Sequence, residues 1–461
     1  MNTFSRRDFV KAAAAASAVG AGTTLGAQAP AAPAASKGRR PNVILIMLDD
    51  LGSVDLNCYG SKDLVTPNLD ALAASGVRFT QCCAASPVCS PSRAAVLTGR
   101  FPQRAGLANN ASSRPGGPGL PVDEVTLAQV LKGAGYATGH VGKWHLGYTP
   151  EAMPTARGFD SSFGHMGGCI DNYSHFFYWD GPNRHDLWQD GKEVWHEGEH
   201  IGDLMVTQCN AFLEVHRDRP FFLFWPLNQP HYPLQGKARW REHYKNVEGP
   251  RGMYAASVST LDELIGRVLA KVKSLGIADQ TIVALQSDHG HSVEERAFGG
   301  GGSAGPYRGA KFSLFEGGIR VASMLSWPGT IPGGVVRDQL VTGCDWMPTL
   351  AELTGAPLPS RRIDGKSMMP VIHSASAPTA HPAFYWQLGN QWAAREGNWK
   401  LIGNPQDPAR KAPMPPEDKL FLSDLGKDVS ETKNLAKENP EVVAKLTAAH
   451  QAWVKDVGDR S

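Results

Sequence analysis

A chain of 461 residues with 42% hydrophobic and 20% charged residues is long enough for one large domain and a smaller one, which excludes a disordered or low-complexity protein. A net charge of +2 gives no compositional case for nucleic-acid binding, so an anionic substrate must be met by locally placed Arg, Lys and His. The 50 glycines and 33 prolines favour a loop-rich α/β chain over a helical bundle.

Residues 1–40 read as a targeting segment and linker. Ser5-Arg6-Arg7-Asp8-Phe9-Val10-Lys11 has the pattern of a twin-arginine export signal, followed by an Ala/Gly stretch and a small-residue run around Ala27–Ala35. That stretch is too short and too weakly apolar for a span, which needs about 20 strongly apolar residues. The expectation is export by the twin-arginine translocase to the periplasm or beyond the cell, with no stable membrane span. Pro30 hinders cleavage directly after Ala27-Gln28-Ala29. The seven cysteines (Cys58, Cys82, Cys83, Cys89, Cys169, Cys209 and Cys344) form no CxxC pair, which argues against a structural zinc site. A protein exported folded from a reducing cytoplasm does not rely on disulfides. The odd count leaves at least one cysteine unpaired, and Cys89 is the candidate.

The domain opens at Pro41–Leu48, a continuous apolar run ending in Asp49-Asp50, which suits a strand buried on both faces of a parallel sheet. Phe221–Trp225 and Thr281–Leu285 read the same way, the latter followed by Gln286-Ser287-Asp288-His289-Gly290. Helical patterns cover Pro67–Ser75, Thr126–Ala134, Asp203–Arg217 and Met253–Lys273. The alternation predicts a doubly wound α/β sheet, whose ligands bind at the carboxyl ends of strands. Gly299–Gly302 reads as a flexible loop, Trp346–Leu353 as the domain's last helix and Arg361–Ile372 as its closing loop. Short strands at Phe384–Leu388, Trp392–Arg395, Trp399–Ile402 and Leu420–Leu422 predict a small antiparallel sheet, with a helix from Pro440 to about Val454. The expected division is 41–375 for a catalytic domain and 376–461 for a C-terminal subdomain.

The most informative segment is Cys89-Ser90-Pro91-Ser92-Arg93-Ala94-Ala95-Val96-Leu97-Thr98-Gly99-Arg100. It resembles the type I sulfatases, whose signature is C-x-P-S-R followed, after a short apolar stretch, by T-G-R. The resemblance extends over nearly all of the chain after the export segment. It implies an alkaline phosphatase-like α/β sandwich, a large mixed and mostly parallel sheet flanked by helices, with a small C-terminal antiparallel sheet and helix. It also implies that a maturation enzyme oxidises Cys89 to formylglycine, an aldehyde hydrated to a geminal diol. One hydroxyl would attack sulfur, and the second, on losing its proton, would expel sulfate and restore the aldehyde, an exit that a serine lacks. Pro91 and its successors start a helix whose N-terminus favours an anionic centre. Arg93 would hydrogen-bond the diol.

Asp49, Asp50 and Asp288 offer the hard oxygen donors that calcium or magnesium requires. By resemblance these three, with His289 and residue 89, hold one divalent ion, usually calcium; His289 stands where many relatives have Asn. Gly142-Lys143-Trp144-His145-Leu146-Gly147 resembles the family's G-K-W-H-L-G, in which Lys and His contact the sulfate and its neighbours. His231, in Asn228–Pro233, and Lys311, before Glu316-Gly317-Gly318-Ile319-Arg320, match two further positions. Lysine supplies a point charge to sulfate oxygens, and histidine can protonate the leaving alcohol; His145 and His231 are not assigned separately. Glu396–Ile402, Leu422–Leu425, Glu431 and Asn434–Ala436 resemble the family's final domain. The aromatic-rich segment Asn172–His200 fits either a carbohydrate-stacking rim or an aromatic core. The expected substrate is a sulfated carbohydrate. The competing functions are a formylglycine-dependent phosphodiester or phosphonate hydrolase and a non-catalytic glycan-binding protein on the same scaffold.

Overall fold

The run Asn42–Asp49 forms the first strand, β1, and every residue of it is buried. Val43, Leu45 and Met47 enter one apolar core, and Ile44, Ile46 and Leu48 enter another. This follows from the two-residue period of a strand, and it obliges the sheet to carry helices on both faces. The computed structural model describes residues 40–179, 181–415 and 417–459; the export signal expected at 5–11 lies outside them.

Nine further strands complete the sheet: β2 (Val77–Phe79), β3 (Ala137–Lys143), β4 (Ser161–His165), β5 (Trp188–Gln189), β6 (Lys192–Glu193), β7 (Phe221–Pro230), β8 (Thr281–Ser287), β9 (Ser323–Ser326) and β10 (Val335–Arg337). Their order is β10-β2-β9-β8-β1-β7-β3-β4-β5-β6. The central five, β8-β1-β7-β3-β4, are all parallel, and antiparallel pairs join β9 to β8 and β5 to β4. Helices α1 (Pro67–Ala74), α4 (Ile201–His216) and α5 (Pro250–Ser274) cover the Ile44 face. Helices α2 (Cys89–Thr98), α3 (Leu127–Gly133) and α6 (Trp346–Thr354) cover the Val43 face.

Register positions the site. β1 pairs with β8 up to Leu48 opposite Ser287, so the next residues along are Asp49 and Asp288. On its other side Asp49 pairs with Pro230, which leaves His231 beside Asp50. β7 runs five residues beyond the apolar run Phe221–Trp225. Pro226, which cannot donate to a ladder, falls after the pairing with β3 has ended at Phe224 opposite His140.

Four antiparallel strands form the C-terminal sheet: β11 (Ala383–Leu388), β12 (Gln391–Glu396), β13 (Trp399–Gly403) and β14 (Leu420–Asp424). Leu401 and Leu422 on one face meet Leu446 of α7 (Pro440–Gly458). Ile402, Phe421 and Trp386 on the other face pack against Phe315, Ile319 and Cys344 of the larger part. One loop expectation needs correction. A short helix, Met369–His373, interrupts the loop expected over Arg361–Ile372. The glycine run forms a loop as expected, but it is packed at Gly301, where a Cβ, at φ 121°, would lie 2.7 Å from the Pro250 carbonyl oxygen. All seven cysteines are thiols. Among the described residues no helix is long and apolar enough to cross a membrane.

Candidate active site

Ten side chains singled out from the sequence converge at the carboxyl end of the parallel strands. Cys89 is the first residue of α2, with Val88 as the N-cap, so the helix starts two residues before the expected Pro91. Its first turn has few amides to spare: Ser90 N–H donates to Asn110 Oδ1 (3.0 Å), Pro91 has none, and Ser92 N–H donates to the Val88 carbonyl (3.3 Å). Positive charge therefore comes from side chains. Lys143 Nζ lies 3.4 Å from Cys89 Sγ and 2.6 Å from Asp49 Oδ2. Lys311 Nζ lies 2.9 Å from Asp50 Oδ1. Arg93, buried within α2, places one guanidinium nitrogen 3.1 Å from Asp288 Oδ2 and 3.6 Å from Asp49 Oδ2, and donates another N–H to the Lys143 carbonyl. Arg93 thus braces two carboxylates beside residue 89.

Asp50 and His145 both adopt left-handed backbone, at φ 63° and 53°. This costs a non-glycine residue energy that the surrounding packing must hold, and it often marks functional positions. His289 Nδ1 is 2.9 Å from the Gly290 carbonyl oxygen; a carbonyl only accepts, so Nδ1 carries the hydrogen. That turns Nε2 toward Cys89 Sγ (3.3 Å) and toward Asp50 and Asp288 (both 3.5 Å). His231 is fixed alike: Nδ1–H donates to the Tyr232 carbonyl (2.7 Å), leaving Nε2 3.6 Å from Asp50 Oδ2.

Burial pushes the Asp50 carboxyl up to about 7 and the Asp288 carboxyl up to about 6, although Lys311 and His289 respectively pull the other way. For Asp49 burial also acts upward but is outweighed by Lys143, His231 and Arg93, which hold it well below the usual range. The Cys89 thiol is lowered because Lys143 and Lys311 outweigh its burial. His289 rises to about 9, since Asp288 and Cys89 outweigh desolvation, whereas burial lowers His145 and His231. A crowd of acids held in check by protons and lysines is the electrostatic signature of a cation site.

Two overlapping sets of donors lie within 4.8 Å of one another: Asp49, Asp50, Cys89 and His231, and Asp49, Cys89, Asp288 and His289. Three carboxylates suit a hard divalent cation, and the tethered Nε2 of His289 is presented toward it. Cys89 Sγ stands where an oxygen of the hydrated aldehyde would stand. The donor set fits the metal that the resemblance implies, with His231 as an additional candidate that the sequence did not suggest.

The site opens into a cleft of about 310 Å³ bounded by Cys89, His145, His231 and Lys311 below and by Asn110–Arg114, Gly168, Phe177 and Trp179 toward solvent. Asn110 and the Ser112–Arg114 stretch were not predicted, since they sit on loops without periodicity, whereas Phe177 and Trp179 belong to the aromatic segment 172–200 read as either a carbohydrate-stacking rim or an aromatic core.

The sheet order, the two helical layers and the acidic strand ends place the chain among hydrolases of the alkaline phosphatase-like fold. Residues 41–356 match the Sulfatase family model, and residues 309–453 match the model for the C-terminal part of N-sulphoglucosamine sulphohydrolase. The chain belongs to the type I sulfatase family and is a sulfuric ester hydrolase. A steryl-sulfatase of Rattus norvegicus is 36% identical over 422 residues, covering 74% of this chain and 71% of its own. Arylsulfatase A of Homo sapiens is 34% identical over 446 residues, covering 88% and 86%. Among solved structures, Ps i-CgsB superposes with a TM-score of 0.81 at 30% identity, covering 92% of this chain and 94% of its own, as does its complex with k-i-k-neocarrahexaose.

Proposed function

We propose that this sulfatase acts on sulfated carbohydrates through residue 89 in its formylglycine form, with one divalent cation, calcium ahead of magnesium, held by Asp49, Asp50, Asp288, His289 and residue 89. The observation that carries the reading is the meeting at Cys89 of three buried carboxylates from two strand ends with Lys143 and His289. The glycan preference draws support from the likeness to a structure bound to k-i-k-neocarrahexaose. When bound, the cation would make a hydroxyl more acidic and offset charge on sulfate oxygens. The hydrated aldehyde would supply the hydroxyl that attacks sulfur and a second that later expels sulfate.

The remaining work falls to this chain's own side chains. Lys143 and Lys311 flank residue 89 and meet the sulfate oxygens while keeping Asp49 and Asp50 in place. Arg93 fixes the carboxylates of Asp49 and Asp288. His145 and His231 line the cleft, where burial favours their neutral rings; one of them takes up the proton released by the attacking hydroxyl and passes it to the departing alcohol oxygen. A formylglycine-generating enzyme would modify Cys89 in the cytoplasm, and the Ser5–Lys11 signal would route the folded protein through the twin-arginine translocase to the periplasm or medium. Residues 376–461 would act as a C-terminal subdomain closing one side of the catalytic part.

The test is peptide mass spectrometry of position 89 in active protein, alongside rates for Cys89→Ala. The expected results are the aldehyde or its hydrate at position 89 and a variant without sulfatase activity. Active protein carrying only unmodified cysteine would overturn the mechanism. Hydrolysis of bis(4-nitrophenyl) phosphate in preference to sulfate esters would favour the phosphodiesterase reading instead.

A further inference from the structure

The aromatic segment 172–200 divides in the structure. Trp188 donates its indole N–H to Asp186 (2.9 Å) and lies near Tyr148, and Trp195, 59% exposed, stacks on His185 with centroids 3.8 Å apart. Neither lines the cleft. Trp179 does, and it is 36% exposed.

Trp179 belongs to a ladder of rings leading outward from the site. The His231 and Tyr232 rings lie 4.0 Å apart, Tyr232 and Trp179 5.5 Å apart, and the Arg296 guanidinium carbon stands 3.5 Å from the Trp179 ring centre. Glu294 ties this ladder together: it accepts from Tyr232 Oη (3.1 Å), pairs with Arg296 Nε (3.4 Å) and reaches Lys311 Nζ at 3.8 Å. The indole is thus pinned by a cation on its face, and among the described residues it has no hydrogen-bond partner that would explain its place at an exposed rim.

We propose that the Trp179–Arg296 pair is a subsite for the sugar next to the sulfated one, so that the preferred substrate is an oligosaccharide; this rests on the sulfated-carbohydrate reading above. A cleft of about 310 Å³ is at the small end of ligand sites, roughly 300–1,000 Å³, and suits one sulfated ring. One ring layer, Tyr232, separates Trp179 from His231, so Trp179 meets the following ring. A sugar presents both a C–H face, which matches an indole, and hydroxyls, which match the polar wall of Asn110, Ser112, Ser113 and Arg114 across the cleft. Arg296 can also meet an acidic group on the second sugar.

The experiment compares kcat/KM for 4-nitrophenyl sulfate, monosulfated N-acetylhexosamine and galactose, disaccharides ending in each of these, and a steroid sulfate. In the wild type the better disaccharide gains about fivefold or more over its monosaccharide. Trp179→Ala and Arg296→Ala raise KM for the disaccharide more than for the monosaccharide or aryl sulfate, so that the gain is lost; Trp179→Phe keeps part of it. Melting temperatures confirm that the variants fold. The subsite is overturned if the wild type shows no disaccharide gain while cleaving aryl sulfate, if the variants lose all substrates equally, or if only steroid sulfate depends on Trp179. A wild type inactive on every ester, despite formylglycine at position 89, overturns the functional reading along with it.

Discussion

Asp50 and Asp288 illustrate how much the site depends on neutralising charge. Both carboxyls are fully buried and pushed upward by burial, to about 7 and about 6, while Asp49 beside them stays ionised. The proposed divalent cation would relieve this crowding in the folded chain and find no such set in the unfolded one. Calcium added to chelator-stripped protein should therefore raise the melting temperature, by the equivalent of about 3 kcal/mol at a hundredfold excess over its Kd. Asp288→Asn should lose most of that gain. An unchanged melting temperature with calcium or magnesium would show that these donors hold no such ion. At this scale the ten residues were visible in the sequence because each lies inside a short motif, most of them at a strand end or in the first half of α2, with Lys311 in a turn. His231 as a possible ligand and Glu294 as a tie between Lys311 and the rim were not legible. Both depend on loops brought together from positions far apart in the chain, Tyr232 and Glu294 being separated by 62 positions.

Strand β3 delivers Lys143, and the delivery depends on the glycine before it. Gly142 has φ 134°, and a Cβ there would fall 1.9 Å from the Pro226 carbonyl oxygen of β7. The obstacle is backbone, which cannot swing aside as a long side chain would. Gly142→Ala should displace β3 from β7 and move the Lys143 ammonium, lowering kcat/KM about 10²-fold. A variant with wild-type rates would show that the strand pair tolerates the shift. Strand β1 was easy to find from sequence because burial on both faces leaves a continuous apolar run. The full length of β7 was not, because a proline inside a strand normally argues against one, and only the staggered end of β3 makes Pro226 acceptable. The C-terminal strands were legible from their turn residues and α3 from its helical pattern, and the structure adds a Thr126 and Gln129 capping box at its start.

The two parts of the molecule are joined through a buried charge triad. Lys400 Nζ of β13 lies 2.9 Å from Glu316 Oε1 and 3.2 Å from Glu431 Oε1, and Glu431 Oε2 accepts from the Glu316 amide (2.6 Å). One lysine cannot neutralise two buried acids. Burial raises Glu431 to about 7, whereas for Glu316 burial is outweighed by Lys400, Arg395 and Arg320, which lower it to about 2. The signs oppose. Glu316 contributes stability that is lost as pH falls from about 4.5 toward 2. Glu431 holds its proton more tightly when folded, so its contribution is lost as pH rises from about 4.5 to 7. Thermal denaturation should show Glu431→Gln flattening the decline over that upper window, a term on the order of 2–3 kcal/mol. Lys400→Met should destabilise by about 3–5 kcal/mol at neutral pH, since it removes the cation between the two acids and leaves Glu316 to Arg320 (3.3 Å). A pH profile that Glu431→Gln leaves unchanged would show that the triad carries no such proton. The triad also reaches the site, because the turn that begins at Glu316 accepts the Gly290 amide at Gly318 (3.0 Å), one residue after His289. Closure of the site therefore waits on late parts of the chain. Cys89 ends 2% exposed and touches His289, 200 positions downstream. On the chemistry proposed, its conversion to an aldehyde has a deadline set by the ribosome. At about 5–20 residues per second, some 10–40 s separate the making of Cys89 from that of His289, the interval in which the sulfur is most open to an enzyme.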